Sequence, residues 1–393
     1  MNKSLKTFPV THLQMLFLSI ILAFMMSACG DKYSENVLDL DDIEEIDLSP
    51  LTSDIEIIPI KCSVPMDGAK RMIGYEDYTF ILGDAGETVY CIQGDTVIAV
   101  LNAVGRGHGE YTYIDDFTYE EKSKILYVRN DEKLLKYSVP SMSFLGSSDI
   151  TYTTIGMIAL NPDEILANCS FWEDDTYKEC FNGLCIVSTA TGEIIRRCFK
   201  FGYYDDSCLM FNELVKTEDG VLMPFCGVYK NKILLLDTTT GETKELDSFS
   251  FNENWRVPKS LIKCIKKGDS YEITQEAEKR TSFCDGCHYP IYVNSRLTYW
   301  CYPEENWHDT PILVIRDKDK FINRHFVISG TSLRINASFV KGDRFMKAFD
   351  CDPETIITDP DNASDLAKEI YRVMKAQPFN NPILLSYTVD KNI

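Results

Sequence analysis

Hydrophobic and polar residues alternate along this chain in short runs, not in long helical stretches. Ile55–Ile60, Thr79–Leu82, Lys124–Val128, Gly183–Val187, Lys232–Leu236 and Pro311–Ile315 are rich in β-branched and aromatic residues and are bounded by Gly, Asp and Asn. That is the pattern of strands closed by turns. One unit recurs, in which an apolar strand enters a turn and a second strand leaves it. It stands at 91–101 (CIQGDTVIAVL), 136–146 (KYSVPSMSFLG), 186–198 (IVSTATGEIIRRC), 235–247 (LLDTTTGETKELD) and 314–326 (VIRDKDKFINRHF). The turn positions Ser138, Ser188 and Asp237 lie 50 and 49 residues apart. A period of about 40–50 residues with four strands per unit marks a β-propeller. The next interval, Asp237 to Arg316, is 79 residues and predicts an insertion over roughly 265–300.

Five such hairpins predict five blades and a sixth built from the chain ends. That last blade takes Leu333–Val340, Arg344–Phe349 and Ile383–Val389, with Ile55–Ile60 closing it from the N-terminal side. Pairing the terminal strands removes exposed edges. The fold expected is therefore an all-β, six-bladed propeller over 51–393. One short helix is predicted near the C-terminus at Ala363–Lys375, where Leu366, Ile370, Val373 and Met374 recur at helical spacing. Asp361 or Asn362 is its expected N-cap.

The N-terminus changes the picture. Lys3 and Lys6 precede a twelve-residue apolar run, Met15 to Met26, and Ser27-Ala28-Cys29 follows. A positive end, a short apolar core and small residues describe a secretory signal. The run falls short of the roughly 20 residues that span a bilayer. Met-Ser-Ala-Cys resembles a bacterial lipobox, with Met26 where Leu is usual. The expectation is a signal peptide over 1–28 and a lipid on Cys29, the alternatives being an ordinary signal peptide or an uncleaved anchor. Two acyl chains suffice for stable anchoring. Residues 29–50, with Asp39, Asp41, Asp42, Glu44, Glu45 and Asp47, read as a solvated acidic tether.

Charge then narrows the partners. The formal net charge is −20, and loss of Lys3 and Lys6 takes the mature chain to −22. A polyphosphate backbone needs Lys and Arg to neutralise it, so nucleic acid is excluded as a partner. Of the fourteen cysteines, thirteen remain once Cys29 carries lipid, an odd number that forbids complete pairing within one chain. Many, such as Cys91, Cys185 and Cys226, fall in apolar strand-like runs and are expected to pack as small core residues.

Two stretches carry a resemblance. VGRGHGEYTYIDDF (104–117), followed by KILYVRNDEKLLKYS (124–138), and NNPILLSYTVDK (380–391) resemble the six-bladed β-propeller lipoproteins, NHL- or TolB-like, of Gram-negative anaerobes. His108 replaces the proline of that family's Gly-Arg-Gly-Pro-Gly-Glu-Tyr motif, and Asn381-Pro382 matches the start of its last strand. IEIIPIKC (55–62) and Ile73-Gly74 sit where its first blade begins. The resemblance covers about residues 50 to 391. It implies a fold and an envelope location, not a reaction, and fold alone never fixes function.

Three groups of residues are candidates for chemistry. The glycine-rich loop 105–111 reads either as a ligand loop presenting Arg106, His108 and Glu110 or as a tight connection between blades, the reading favoured here. No Gly-Lys-Ser/Thr follows it, so it is no phosphate loop. Cys284-Asp285-Gly286-Cys287-His288 is a CxxCH string, which in an exported chain can hold haem. It is read here as a plain turn, with Asp285-Gly286 at a hairpin tip. A disulfide or metal clip is the other alternative. Trp172 and Trp255 read either as aromatic faces for sugars or peptides or as blade packing. Carboxylate pairs such as Asp115-Asp116, Asp174-Asp175 and Asp205-Asp206 read as solvated faces. Hydrolase signatures are missing, and no catalytic residue, metal ligand or cofactor is assigned. The expected function is a binding or scaffold module at the cell envelope, held by lipid, for a peptide, a glycan or an envelope protein. The alternative is a metal-dependent lactonase-like or lyase-like propeller enzyme using axial carboxylates.

Overall fold

The structure, a computed structural model, describes residues 36–41, 43–48, 54–172, 180–200, 214–225, 231–256, 259–267, 282–305, 308–309, 311–317, 320–350 and 352–389. Three short strands come first: β1 (Val37–Leu38), β2 (Glu45–Asp47) and β3 (Glu56–Pro59). Six blades follow around a common axis. Blade 1 holds β4 (Arg71–Gly74), β5 (Thr79–Leu82), β6 (Val89–Gln93) and β7 (Thr96–Leu101). Blade 2 holds β8 (Asp116–Glu120), β9 (Ile125–Asn130), β10 (Lys133–Ser138) and β11 (Phe144–Asp149). Blade 3 holds β12 (Thr153–Asn161), β13 (Glu164–Trp172), β14 (Cys180–Ser188) and β15 (Ile194–Lys200). Blade 4 holds β16 (Val215–Thr217), β17 (Gly220–Phe225), β18 (Asn231–Leu236) and β19 (Thr243–Phe251). Blade 5 holds β20 (Ser282–Val293), β21 (Arg296–Glu305), β23 (Ile312–Asp317) and β24 (Lys320–Val327), with β22 (His308–Asp309) paired to β21. Blade 6 holds β25 (Phe339–Lys341), β26 (Arg344–Phe349) and β27 (Ile383–Tyr387), and β3 completes it.

The core is divided into six apolar seams, one at each blade interface. Phe80 and Cys91 meet Phe117 and Tyr119 between blades 1 and 2. Trp300 and Phe326 meet Phe345 and Tyr387 between blades 5 and 6. Adjacent strand residues face opposite ways, so Ile165 enters the seam between blades 2 and 3 while Leu166 enters that between blades 3 and 4. Both faces of a blade are thus covered, and the middle strands read as unbroken apolar runs. The outermost strands meet solvent, and β15 alternates exposed with half-buried positions.

The turns at Ser138, Ser188 and Asp237 are structurally equivalent. In each, the amide of the first residue donates to the carbonyl five residues on (Ser143, Glu193, Glu242), and the amide four residues on (Met142, Gly192, Gly241) donates back. Met142, Gly192 and Gly241 all have positive φ, at 51°, 78° and 79°. Glycine meets that requirement without strain.

The ring closes as the hydrophobic pattern predicts. β3 pairs antiparallel with β27, Pro59 opposite Ile383 and Glu56 opposite Ser386. The Tyr387 hydroxyl donates to Asn336 O at 2.9 Å, and Arg344 bonds Asp54 and Ser386 across the junction.

Two elements differ from expectation. The segment read as a solvated tether is, over its described residues, a docked strap. β1 runs parallel to β19 and β2 parallel to β24, extending blades 4 and 5 at their outer edges. Leu38 and Leu40 are buried between blades 4 and 5, and Leu48 between blades 5 and 6. The Asp41 carboxylate accepts from Asn252 Nδ2, Asn254 Nδ2 and Trp255 Nε1 at 2.6, 2.9 and 2.8 Å. The acids dominate a composition count, but apolar residues alternate between them and strands use that alternation. Among the described residues the α-helices are α1 (Lys259–Lys267), which was not expected, and α2 (Asp365–Ala376). Ser364, not Asp361 or Asn362, caps α2, its hydroxyl accepting from Ala367 N at 3.2 Å. Asp365 in the first turn and Lys375 in the last suit the helix dipole.

Ending the chain after Asn380 removes β27 and leaves β3 without a partner. We expect that variant to be insoluble or to melt without a cooperative transition in calorimetry. The strap predicts a graded result. Leu40→Ala removes a side chain that is 3% exposed and should cost about 2–5 kcal/mol in denaturant titration. Val37→Ala, at a position 51% exposed, should stay within about 0.5 kcal/mol. Equal effects would show that the strap does not pack into the seam.

Candidate ligand-binding face

Strands alternate in direction through each blade, so its connections divide between the two ends of the ring. The links from second to third strand, and from each outer strand to the next blade, share one face. They include 60–70, 83–88, 102–115, 328–338 and 350–382. Links from first to second and from third to fourth strand share the other, where 75–78, 94–95, 139–143, 189–193 and 342–343 are tight turns. The long connections described here therefore crowd one face, where propeller loops are free to vary while the blades hold them.

At the axis, that long-loop face is marked by paired charges. Arg71 is the first residue of β4, and its guanidinium pairs with the carboxylate of Asp116, the first residue of β8. Arg71 also lies 5.4 Å from the centroid of the Phe117 ring. Burial pulls its pKa down to about 10, so it remains a cation at neutral pH. Asp116 is 1% exposed and accepts from Phe117 N at 2.7 Å. Arg129 sits opposite Asp116 in the sheet. Its Nη1 donates to Thr154 O of blade 3 at 3.0 Å and lies 3.4 Å from Asp115 Oδ2. Asp115 in turn accepts from Asp131 N at 2.8 Å. These bonds tie blades 1, 2 and 3 together. Asp116 Oδ2 and Arg129 Nε are buried and have no hydrogen-bond partner among the described residues. Buried polar groups of this kind call for water or a ligand.

The opposite end of the axis is stapled by neutral and cationic groups. The Tyr75 hydroxyl meets Thr118 Oγ1 at 3.1 Å and accepts from Tyr119 N, while Thr118 Oγ1 accepts from Ala159 N at 2.9 Å. Burial raises the Tyr75 pKa and keeps the phenol neutral. Lys216 Nζ donates to Ala159 O and Leu160 O at 3.0 and 2.9 Å. Burial lowers its pKa, an effect opposed by Glu121 and Glu120. These contacts satisfy one another and staple blades 1 to 4 together at this end.

The glycine-rich loop belongs to the 102–115 connection, but its tip leaves the long-loop face and packs on Tyr137 and Phe144, which flank the short turn 139–143; it combines both readings made of it. Glu110 folds back, its Oε2 accepting from Gly107 N at 2.6 Å. Its carboxylate fills the space that a side chain on Gly105 would need. Gly109 has φ +76°, with the Phe144 side chain against it, and its carbonyl accepts from the Tyr137 hydroxyl. His108 stands edge-on to Phe144 at 4.9 Å. Phe144 begins the outer strand of blade 2, which places His108 toward the rim. Arg106 is exposed. The backbone and Glu110 therefore build the connection, while Arg106 projects from it.

The other expectations divide. Trp255 is on the long-loop side, but its indole N–H is taken by Asp41, so it fastens the strap. The backbone of Trp172 ends β13 opposite Cys180, and its side chain lies outside the described residues. Cys29, Asp174-Asp175 and Asp205-Asp206 lie outside them as well. Asp115-Asp116 is no solvated pair, since Asp116 is buried against Arg71. The CxxCH string is not a hairpin tip. It lies within β20, where the register shifts between Cys284 and Cys287, and the hairpin instead turns at Asn294-Ser295. Asp285-Gly286 is thus a bulge, the other structure in which an extra turn-like pair sits in a strand. Cys284 and Cys287 face blade 4 with Cys301. His288 lies opposite Trp300, which faces blade 6. The sheet separates the histidine from the two thiols, so the string does not act as one ligand set. Among the described residues, no three His, Cys, Asp or Glu side chains converge as a metal site.

Sequence reading missed Arg71 and Arg129 because neither belongs to a motif. A usable signal was the buried stripe Asp116, Thr118 and Glu120 on an inner strand, where polar residues facing a seam must find partners.

A family model described as 6-bladed beta-propeller (DUF5128) matches residues 27–362. No curated protein sequence matches the chain. Among solved structures, a protein of Bacteroides fragilis described as exported is similar over 90% of this chain and 100% of its own, with 15% identity and a TM-score of 0.64. A Bacteroides vulgatus protein of the duf4221 family is similar over 86% of this chain and 98% of its own, with 10% identity and a TM-score of 0.48. BamB from Moraxella catarrhalis matches over 84% of this chain and 100% of its own, at 9% identity and a TM-score of 0.41. With six closed blades and a family match over most of its length, this chain belongs to the 6-bladed beta-propeller family DUF5128.

Proposed function

We propose that this protein is an envelope lipoprotein, held by lipid on Cys29, whose propeller binds a peptide, a glycan or another envelope protein on its long-loop face. The observation that carries this reading is the asymmetry of the ring. Long connections surround the axial charges of Arg71, Asp116 and Arg129 on one face, and short turns close the other. Rigid blades presenting variable loops are how propellers build recognition surfaces. The resemblance to NHL- or TolB-like lipoproteins and the Ser27-Ala28-Cys29 sequence support export and anchoring. Asp116, the carboxylate at the start of an inner strand, is paired with Arg71, which disfavours its use as a metal ligand in an enzyme of the lactonase or lyase type.

Two measurements test the reading separately. Cys29→Ala should move the protein out of the membrane fraction or leave its signal uncleaved. A mature N-terminus other than lipidated Cys29 in mass spectrometry would refute the anchor. For binding, the tethered wild-type protein serves as bait on native envelope extract. Lys70→Ala removes an exposed side chain of the 60–70 link beside Arg71, so melting should change little while capture falls about tenfold, or about 1.4 kcal/mol. Capture that ignores changes on this face, but follows changes in the turns at 189–193 or 237–242, would place the ligand on the wrong end of this proposal.

A further inference from the structure

Cys287 and Cys301 stand directly opposite each other in the β20–β21 hairpin. Both are 0% exposed and both belong to the seam between blades 4 and 5. They therefore lie on the same face of the sheet. Directly opposed residues of an antiparallel pair have Cα atoms about 4.5 or 5.5 Å apart, according to whether they exchange backbone hydrogen bonds. Both separations fall within the 4.4–6.8 Å that a disulfide spans. As a thiol, Cys287 points at Lys232 O of blade 4, 3.8 Å away. Cys284, across the bulge, is opposite Pro303 and shares the seam, but it has no cysteine in register with it.

We infer that Cys287 and Cys301 are a disulfide-forming pair, which closes a cross-strand bond in blade 5 when the chain folds in the presence of a disulfide oxidant. The Cys287 thiolate attacks a sulfur of the oxidant's disulfide, forming a mixed disulfide and expelling one thiolate. The Cys301 thiolate then attacks the Cys287 sulfur of that intermediate. The Cys287–Cys301 bond forms, the second thiolate of the oxidant leaves, and the two thiol protons go to the two released thiolates. The oxidant gains two electrons and the cysteine pair loses two. Because both sulfurs end in a closed seam, the bond must form before blades 4 and 5 dock. Once they have docked, reductants are kept from it. The odd number of cysteines left after Cys29 is compatible with this pairing, since it asks for only two.

The test does not depend on export. The purified full-length chain is unfolded, reduced and refolded with glutathione disulfide and glutathione, then alkylated, denatured and digested without reductant. Mass spectrometry should show the Cys287 peptide joined to the Cys301 peptide, two hydrogens lighter than their sum and separable by reductant. Cys284→Ser should leave this species in place, and Cys301→Ser should abolish it. Unfolding curves should show the oxidised protein melting a few degrees above the reduced one, as a hairpin-closing bond predicts. Recovery of Cys287 and Cys301 both alkylated would overturn the inference, as would Cys287 joined to Cys284 in the wild-type chain. Because the readout is a covalent species in wild-type protein, a variant that fails to fold does not obscure it.

Discussion

The pairing of β3 with β27 is the interaction on which the rest of the ring depends. Residues 56–59 and 383–386 come from opposite ends of the chain, and their ladder makes blade 6 a full sheet. Blade 6 contributes to two seams. Leu385 and Tyr387 face blade 5, while Leu384 faces blade 1 beside Phe339 and Met72. If β27 is not held, both seams lose a wall at once. None of the other four seams takes a side chain from β27, although that between blades 4 and 5 also draws on Leu38 and Leu40 of the N-terminal segment. Closure therefore gathers the entropy cost of joining the chain ends at one small interface, and the loss of a long loop of freedom grows only slowly with length.

The strap extends the same logic outward. Strands β1, β2 and β3 attach in turn to blades 4, 5 and 6, so the N-terminal segment straddles three neighbouring blades before the first blade begins. It covers the edges of β19 and β24, which would otherwise offer unpaired backbone. The outer strands of blades 1 to 3 keep exposed apolar residues, among them Ile98, Val100, Leu145 and Ile195. The docked residues also shorten the connection to Cys29. From Cys29 to Asn36 there are seven residue steps, at most about 25 Å fully extended. The acidic segment works as structure in the part that carries alternating leucines, and any anchor at Cys29 holds the propeller close.

Much of this fold was legible because its signals are local. The turns at Ser138, Ser188 and Asp237 repeat one hydrogen-bond scheme, and glycine at 192 and 241 shows where positive φ is needed. Turn chemistry survives in single residues, so the blade period could be counted. The strap was missed for the opposite reason. Leu38, Leu40 and Leu48 are separated by acids whose number dominated the reading, yet Asp41 is itself a structural acceptor for three donors. The β20 bulge was missed because Asp-Gly favours a hairpin tip locally. Tertiary pairing overrode that preference by continuing the strand from Ser282 to Val293. The Gly105–Tyr111 loop was the easiest to see and turned out to be mostly scaffold, with Glu110 bonded to its own backbone.

The axial charges were illegible for a deeper reason. A propeller takes about one inner-strand residue per blade to line its axis, so functional neighbours are a blade period apart in sequence. Arg71 and Asp116 are 45 residues apart and touch. Arg129 reaches Thr154 over a separation of 25 residues, again from one blade to the next. Motif reading looks for spacing within a turn or two of chain and cannot see such pairs. Periodicity can, once the blades are counted, because residues at equivalent positions of successive inner strands must converge. In this chain Arg71 and Asp116 meet in that way, Arg129 on the neighbouring second strand carries the contact on to blade 3, and among the described residues a buried oxygen of Asp116 and the Arg129 Nε–H have no hydrogen-bond partner. An axis that only needed to be filled would be served better by apolar side chains, since burying charge costs free energy even when it is paired. The charges in that place instead make directional bonds from blade to blade, Arg71 to Asp116 and Arg129 Nη1 to Thr154 O.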